Sequence, residues 1–152
     1  MFIVPLKLFS LFIKWKFPRV RSISTDKLCQ WLDANSTSPP LLFDARSEAE
    51  YAVSHLQSAM RVEPYAPDLI SISQYSKDTQ IVVYCSVGYR SALVTQELQQ
   101  AGYTNVFNLS GGIFQWANEK RPLFKDSQPT NIVHPYNARW GKLLKKGMGN
   151  GE

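Results

Sequence analysis

The chain has 152 residues, of which 44% are hydrophobic and 12% aromatic, so it has room for one domain with a buried core and for extra segments at its ends. The net charge of +5 does not lie on the middle of the chain, because residues 22–119 carry five Lys or Arg and ten Asp or Glu. The positive charge lies in residues 1–21 and 120–152, which argues against a nucleic-acid interface on the body of the protein.

The N-terminal extension, residues 1–21, is apolar and basic, with five Lys or Arg and no acidic residue. It is interrupted by Pro5 and by lysines, and its apolar stretch is shorter than the ~20 residues that a spanning helix needs. It also lacks the pattern of a secretory signal. One interpretation is an amphipathic helix on a membrane surface, and the other is a segment packed on the domain or on a second copy. The apolar stripe predicted for this helix contains Phe2, Ile3, Leu6, Phe9, Phe12 and Ile13.

Residues 22–124 are predicted to form the domain, with strand and helix patterns that alternate along the chain. A helix is predicted after an N-cap at Ser24, and the capping box Ser47–Glu50 predicts a second, short helix. The further predicted elements are strands at 41–43, 60–62, 81–84 and 106–109, and helices at about 67–75, at 91–100 and around 113–116. This alternation predicts an α/β fold of three layers, with a mostly parallel central sheet and helices on both faces.

The C-terminal tail, residues 125–152, is basic and could wrap around the domain or bind a partner. Its Gly-rich end, residues 147–151, is predicted to be disordered. The two cysteines, Cys29 and Cys85, are too few for a disulfide framework and have no zinc-ligand spacing. Unpaired cysteines fit a reducing compartment and predict a cytoplasmic protein, with membrane association through residues 1–21 left open. Cys29 is predicted to be a small buried residue on a helix.

Cys85 is the strongest chemical signal in the sequence. It directly follows the predicted strand 81–84 and precedes a helix, so it lies at the carboxyl end of a strand, where open α/β sheets bind ligands. Gly88 allows a positive φ, and the backbone N–H groups of such a loop can form an anion-binding nest at the helix N-terminus. Arg90 adds a positive charge or braces the loop. These features favour a thiolate and predict a nucleophile at Cys85 within a binding loop that comprises Ser86, Val87, Gly88, Tyr89, Arg90 and Ser91.

Four blocks of sequence resemble, in the same order, the motifs of the rhodanese family. They are Leu42-Phe43-Asp44-Ala45-Arg46-Ser47 with Glu50-Tyr51, His55-Leu56 with Ala59, Val83-Tyr84-Cys85-Ser86-Val87-Gly88-Tyr89-Arg90-Ser91, and Gly111-Gly112-Ile113 with Trp116 and Pro122-Leu123. The second block departs from the family pattern, because Ser54, Gln57 and Ser58 stand where the family usually has Gly, Pro and Gly, so this loop could follow a different turn.

The resemblance implies a sulfurtransferase that needs no cofactor or metal. The thiolate of Cys85 would take a sulfane sulfur from a donor such as thiosulfate, hold it as a persulfide, and pass it to cyanide, a thiol or a sulfur-accepting protein. Asp44 and Arg46 are predicted to form a supporting pair at a strand end, and His55 is predicted to be structural. Trp116 is predicted to lie in the core, whereas Arg61 and Glu63 could line the pocket.

Three alternatives stay open at the level of sequence. Phosphatases on this fold have five residues between Cys and Arg, whereas four separate Cys85 from Arg90, so the loop fits a terminal sulfur better than a phosphate. Arsenate reduction is a further variant of the fold. A non-catalytic binding or regulatory domain is the alternative of a different class, although many such domains have lost the cysteine. The sequence leaves the oligomeric state open.

Overall fold

The computed structural model describes residues 5–33 and 38–149. Within these ranges the strands are β1 (Ser22–Ile23), β2 (Leu41–Asp44), β3 (Met60–Arg61), β4 (Ile81–Tyr84), β5 (Val106–Leu109), β6 (Leu123–Lys125) and β7 (Gln128–Thr130). The helices are α1 (Leu6–Lys16), α2 (Thr25–Trp31), α3 (Glu48–Val53), α4 (Leu69–Ile72), α5 (Tyr89–Gln100), α6 (Gly112–Asn118) and α7 (Ala138–Gly141).

Strands β1 to β5 form a parallel sheet in the order β1-β5-β4-β2-β3, and β6 and β7 form a separate antiparallel hairpin. Strand β4 is central and buried along its whole length, as its uninterrupted apolar sequence predicts. Val83 of β4 pairs with Phe43 of β2 on one side and with Asn108 of β5 on the other. Cys85, which follows β4, therefore lies at the middle of the carboxyl edge of the sheet.

Helices cover both faces of this sheet, which confirms the predicted three-layer α/β fold. On one face, Leu28 of α2 and Trp116 of α6 pack into a core that also receives residues of the C-terminal tail. On the other face, Val94 and Leu98 of α5 pack into a second core together with α4. The sheet is thus buried between two apolar layers, and its carboxyl edge is the place where loops from several strands meet.

Local capping signals set where several helices begin. Ser24 caps α2 by accepting a hydrogen bond from the Lys27 N–H, and Ser47 forms the predicted capping box with Glu50. Helix α5 begins at Tyr89, two residues before the predicted start, because the left-handed conformation of Gly88 turns the chain into the helix. Helix α4 is shorter than the predicted 67–75 and spans one turn after its cap at Asp68.

The departures in the second motif leave a tight turn in place. Ser58, where the family usually has Gly, adopts a left-handed backbone conformation with φ of 64°. The Ala59 N–H closes the turn on the Leu56 carbonyl oxygen at 3.1 Å. The turn therefore places a serine in a backbone region that favours glycine.

The N-terminal extension packs against the domain through α1. Ile13 and Phe17 join Ala92 of α5 in a small third core. Of the predicted apolar stripe, Leu6, Phe9 and Ile13 pack inward against the domain. Of the two interpretations of this extension, packing on the domain holds for these three residues, because the domain offers an apolar surface that covers them. Phe12 of the stripe is exposed, and Phe2 and Ile3 lie outside the described residues.

No helix in residues 5–33 and 38–149 is long and apolar enough to span a bilayer. The C-terminal tail takes the first of its two predicted courses and wraps around the domain, with Val133, Leu144 and Met148 buried in the first core. The Val133 N–H donates to the Met148 carbonyl oxygen at 2.7 Å, so the prediction of disorder is wrong for residues 147–149. Residues 150–152 lie outside the described part of the chain.

Candidate active site

The Cys85 sulfur lies in a cradle of hydrogen-bond donors at the start of α5. The side chain is buried, and its Sγ accepts a hydrogen bond from the Gly88 N–H at 3.1 Å. Ser91 Oγ lies 3.3 Å from the same sulfur. The first-turn N–H groups of a helix have no partner within the helix, so the N-terminus of α5 adds positive potential to this cradle. The arrangement directs hydrogen-bond donors at the sulfur.

Asn108 orients the cradle from the neighbouring strand β5. Its Oδ1 accepts from Ser91 Oγ at 2.6 Å, and its Nδ2 donates to the Gly88 carbonyl oxygen at 3.0 Å. The Ser91 hydroxyl has one proton, so it can donate one hydrogen bond at a time, either to Asn108 Oδ1 or to a negatively charged Cys85 sulfur. Asn108 was not predicted as a site residue, although a single polar side chain in the apolar strand 106–109 was a signal that could have pointed to it.

Gly88 meets two separate requirements of this loop. Its φ of 110° is in the region that favours glycine, as the sequence predicted. A Cβ at this position would also lie 3.2 Å from Cδ1 of Ile13, so α1 approaches the loop closely. The N-terminal extension is therefore packed directly on the loop that carries Cys85.

The start of α6 supports the same loop from a second side. The Ile113 N–H donates to the Cys85 carbonyl oxygen at 2.9 Å, and the Phe114 N–H donates to the Ser86 carbonyl oxygen at 3.1 Å. These bonds satisfy two buried carbonyl groups of the loop and fix the distance between the loop and α6. Gly112 allows this close approach, because a Cβ there would lie 2.5 Å from the carbonyl oxygens of Cys85 and Ser86.

Arg90 braces the loop through a buried carboxylate that the sequence did not identify as part of the site. Its two terminal nitrogens each donate to one oxygen of Glu50 at 2.8 Å, a bidentate pair. Nη2 also lies 3.0 Å from Ser86 Oγ, and that hydroxyl donates to Glu50 Oε2 at 3.0 Å. Glu50 was predicted as the capping-box residue of α3 and as part of the first sequence block, but not as a site residue. It fills the capping role through its bond from the Ser47 N–H. One carboxylate thus ties the start of α3 to the Cys85 loop.

The partners of Glu50 keep it ionised despite its burial. Burial alone would raise the pKa of Glu50, but the hydrogen bonds and charge of Arg90 outweigh this effect, with smaller contributions from Ser47 and Arg46. The pKa of Glu50 falls from 4.5 to about 2. The ionised form therefore stabilises the fold above pH 4.5, and this contribution is lost as the pH falls from 4.5 to about 2.

Glu50→Gln is expected to weaken the pH dependence of stability over this range. The wild-type protein should lose free energy of unfolding as the pH falls from 4.5 toward 2, whereas the variant lacks the group that titrates and should be less stable at neutral pH. Urea titrations at a series of pH values measure this. Glu48→Gln, a change of an exposed carboxylate on the same helix, is the control and should follow the wild type. Parallel curves for wild type and Glu50→Gln would contradict the expectation.

The predicted supporting pair, Asp44 and Arg46, lies next to the site and is closed to solvent. Arg46 Nε and Nη2 donate to the two oxygens of Asp44 at 2.8 and 2.7 Å, and Nη2 also donates to the Ser54 carbonyl oxygen at 2.6 Å. Both side chains have no exposed surface, so neither can touch a substrate in this conformation. The pair ties the end of β2 to the Ser54 carbonyl group at the C-terminal end of α3.

A cavity of about 170 Å³ opens above the cysteine, and residues outside the four motifs complete its walls. It is lined by Phe9, Tyr65, Cys85, Ser86, Val87, Tyr89, Arg90, Tyr136 and Trp140. Phe9 of α1 and Trp140 of the C-terminal tail meet with their ring centroids 5.2 Å apart. The Tyr136 ring lies 4.9 Å from the Arg90 guanidinium carbon. Both extensions therefore contribute aromatic side chains to the pocket, which the sequence did not predict.

The other singled-out residues lie away from the sulfur. His55 stacks on the Tyr51 ring, with centroids 3.9 Å apart, and its Nδ1 lies 3.1 Å from the Tyr51 carbonyl oxygen. Arg61 pairs with Glu63 at 2.6 Å, and Glu63 borders a second cavity beside Arg90 rather than the pocket of Cys85. Cys29 lies half-buried on α2.

Comparison with known proteins shows which family the chain belongs to. A family model described as the Rhodanese-like domain matches residues 25–119. The chain belongs to the rhodanese-like family. A sulfurtransferase from Allochromatium vinosum is 36% identical over 104 residues, which cover 68% of this chain and 94% of that protein. The family and this relative support rhodanese-type sulfurtransferase chemistry at the level of the family.

Two further similarities are to a solved structure and to a longer relative. The crystal structure of a rhodanese-related protein from Thermoplasma volcanium has a TM-score of 0.58 and 25% identity, and the match covers 68% of this chain and 97% of that one. A tRNA uridine(34) hydroxylase from Sodalis glossinidius is 30% identical over 119 residues, 74% of this chain. The match spans about a third of that relative, 34% of its length, so the rhodanese-like part is one portion of a longer protein there.

Proposed function

We propose that this rhodanese-like protein moves a sulfane sulfur from a donor such as thiosulfate to a thiophilic acceptor, cyanide or a thiol, through a persulfide on Cys85. The observation that carries the proposal is the position of Cys85 Sγ, which has the Gly88 N–H at 3.1 Å, Ser91 Oγ at 3.3 Å and the N-terminus of α5 around it. Donors that surround a sulfur in a buried site favour its anionic form as thiolate and as persulfide.

The two steps balance without an external oxidant. The Cys85 thiolate attacks the outer sulfur of thiosulfate, the S–S bond of thiosulfate breaks, and sulfite leaves with the electron pair. Cyanide then attacks the terminal sulfur of the persulfide, the new S–S bond breaks, and thiocyanate leaves while the Cys85 thiolate is regenerated. The negative charge lies on Sγ in the thiolate and on the outer sulfur in the persulfide. The Gly88 N–H faces Sγ, and the N-terminus of α5 favours negative charge in both forms.

The position of Arg90 supports sulfur transfer over phosphate chemistry. A phosphatase loop of this kind needs its arginine to bind the phosphate oxygens, but both terminal nitrogens of Arg90 are held by Glu50 and one also contacts Ser86. The guanidinium therefore acts as a brace for the loop. The pocket of about 170 Å³ with aromatic walls has room for a small donor such as thiosulfate.

Cys85→Ala is expected to abolish the formation of thiocyanate from thiosulfate and cyanide by the purified protein, because Cys85 is the cysteine that lines the pocket. Cys29→Ala is the matched control and should keep the wild-type rate, since the half-buried Cys29 does not line the pocket. Mass spectrometry after thiosulfate treatment should find one added sulfur on the peptide that contains Cys85. Phosphatase turnover with no sulfur adduct, or an adduct on Cys29 alone, would overturn the proposal.

A further inference from the structure

Helix α1 exposes a second apolar surface on the side that faces away from the domain. The exposed stripe consists of Leu8, Leu11, Phe12 and Trp15, whose exposed fractions are 55%, 53%, 42% and 77%. With about 100° between successive residues, these four side chains fall within an arc of about 100°. Phe9 and Ile13 lie on the inward side and pack against the protein. The helix is therefore apolar on both sides, and the domain covers only one of these two apolar sides.

Basic residues flank the exposed stripe on both sides. Lys7 and Lys14 lie along one flank of α1, Lys16 lies along the other, and all three are exposed. Arg19 follows the helix and is also exposed. No acidic residue occurs in residues 1–21, whereas residues 22–119 carry more acidic than basic residues. The positive charge of this region is thus concentrated around the exposed apolar side chains.

We propose that α1 docks the protein on an anionic lipid surface, with the exposed stripe in the boundary between headgroups and acyl chains. An apolar stripe with lysines on its flanks and a tryptophan at its most exposed point is the pattern of a helix that lies in a membrane interface. Helix α1 has 11 residues, so it fits along the surface and not across the bilayer. The flanking lysines then lie at the height of the lipid phosphates.

A second copy of the chain fits the exposed stripe less well than lipid does. A symmetric dimer through this face would bring the lysines of both copies to one interface, where like charges repel. An anionic bilayer instead offers both an apolar layer and the opposite charge. The same helix contributes Phe9 to the Cys85 pocket, so docking would hold the pocket close to the lipid surface.

The test is sedimentation of the full chain with vesicles, one set of phosphatidylcholine and one with added phosphatidylglycerol. The full chain should bind the anionic vesicles and bind less as the salt concentration rises, because salt screens the lysines. The double variant Leu11→Ser, Trp15→Ser should bind at least about tenfold more weakly, since it removes two side chains from the lipid contact. Both residues are exposed, so thermal unfolding should stay close to that of the wild type.

Ile70→Ser is the matched control, because it removes an apolar side chain that is 86% exposed on a different helix. It should leave vesicle binding unchanged. Equal binding by the wild type and the double variant would overturn the proposal. It would also be overturned if the wild type did not bind anionic vesicles, or if it formed a dimer that the double variant converts to a monomer, since a second copy would then cover the stripe.

Discussion

Asp44→Ala is expected to lower the free energy of unfolding by about 3–5 kcal/mol, because it leaves the buried charge of Arg46 without its counterion. Arg46 would lose the hydrogen bonds of 2.8 and 2.7 Å to the carboxylate and keep the one to the Ser54 carbonyl oxygen. It cannot escape by releasing its proton. In the wild type, burial works to lower the pKa of Arg46, but the charge and hydrogen bonds of Asp44 outweigh burial and hold that pKa above its usual value. The variant loses this effect of Asp44, yet the guanidinium still keeps its proton, because arginine is not deprotonated in proteins. Urea denaturation of the two proteins measures the difference.

Glu63→Ala is the control for this prediction. It also removes a carboxylate from an arginine, Arg61, at 2.6 Å, but the Glu63 side chain is 61% exposed. Exposed ion pairs contribute roughly 0–1 kcal/mol, so this variant should unfold close to the wild type. The double variant Asp44→Leu, Arg46→Met should recover part of the loss, because it buries apolar groups in place of an uncompensated charge. Equal small effects of Asp44→Ala and Glu63→Ala would show that the buried pair does not stabilise the end of β2.

The position of Cys85 could be predicted because it depends on local sequence. The run Ile81–Tyr84 predicts a buried strand, the parallel alternation predicts which end of the sheet binds ligands, and Gly88 predicts a loop with positive φ. Each of these signals lies within a few residues of the cysteine. The partners of the loop could not be derived in this way. Glu50 is 40 residues from Arg90, and only the pairing of β2 with β4 brings the start of α3 beside the loop.

The two extensions were located by composition, but their contribution to the pocket was not predicted. Helical periodicity shows which residues of α1 share a side, and it cannot decide which side meets the domain when both are apolar. Leu6, Phe9 and Ile13 of the predicted stripe pack inward against the domain. The opposite side of the helix faces solvent, and its most exposed side chain is that of Trp15. The contact between Phe9 and Trp140 joins chain segments from opposite ends of the sequence, so it depends on the folded domain between them.

Gly112→Ala is expected to cause the largest combined loss of stability and activity among changes that add a single methyl group to the site. Gly112 has φ of 60°, and a Cβ there would lie 2.5 Å from the carbonyl oxygens of both Cys85 and Ser86. These are backbone atoms, so the whole loop has to move. Strain from the positive φ and overpacking each cost about 1–3 kcal/mol. A shift of about 1 Å in a reacting group can cost about 100-fold in rate, so kcat/KM for sulfur transfer should fall by about that factor.

Gly102→Ala separates backbone strain from overpacking. Gly102 also has a positive φ, of 99°, but the space around it is open. The nearest atoms to a Cβ at Gly102 belong to the flexible Lys77 side chain, at 3.9 and 4.0 Å. The control should therefore lose only the free energy of unfolding that the strained backbone costs, about 1–2 kcal/mol, and it should keep wild-type sulfur transfer. If Gly112→Ala unfolds at the same urea concentration as Gly102→Ala and transfers sulfur normally, α6 does not hold the Cys85 loop. If it loses stability and transfer together, the glycine at position 112 is explained by the close approach of α6 to the carbonyl groups of the loop, and the placement of the sulfur depends on that contact.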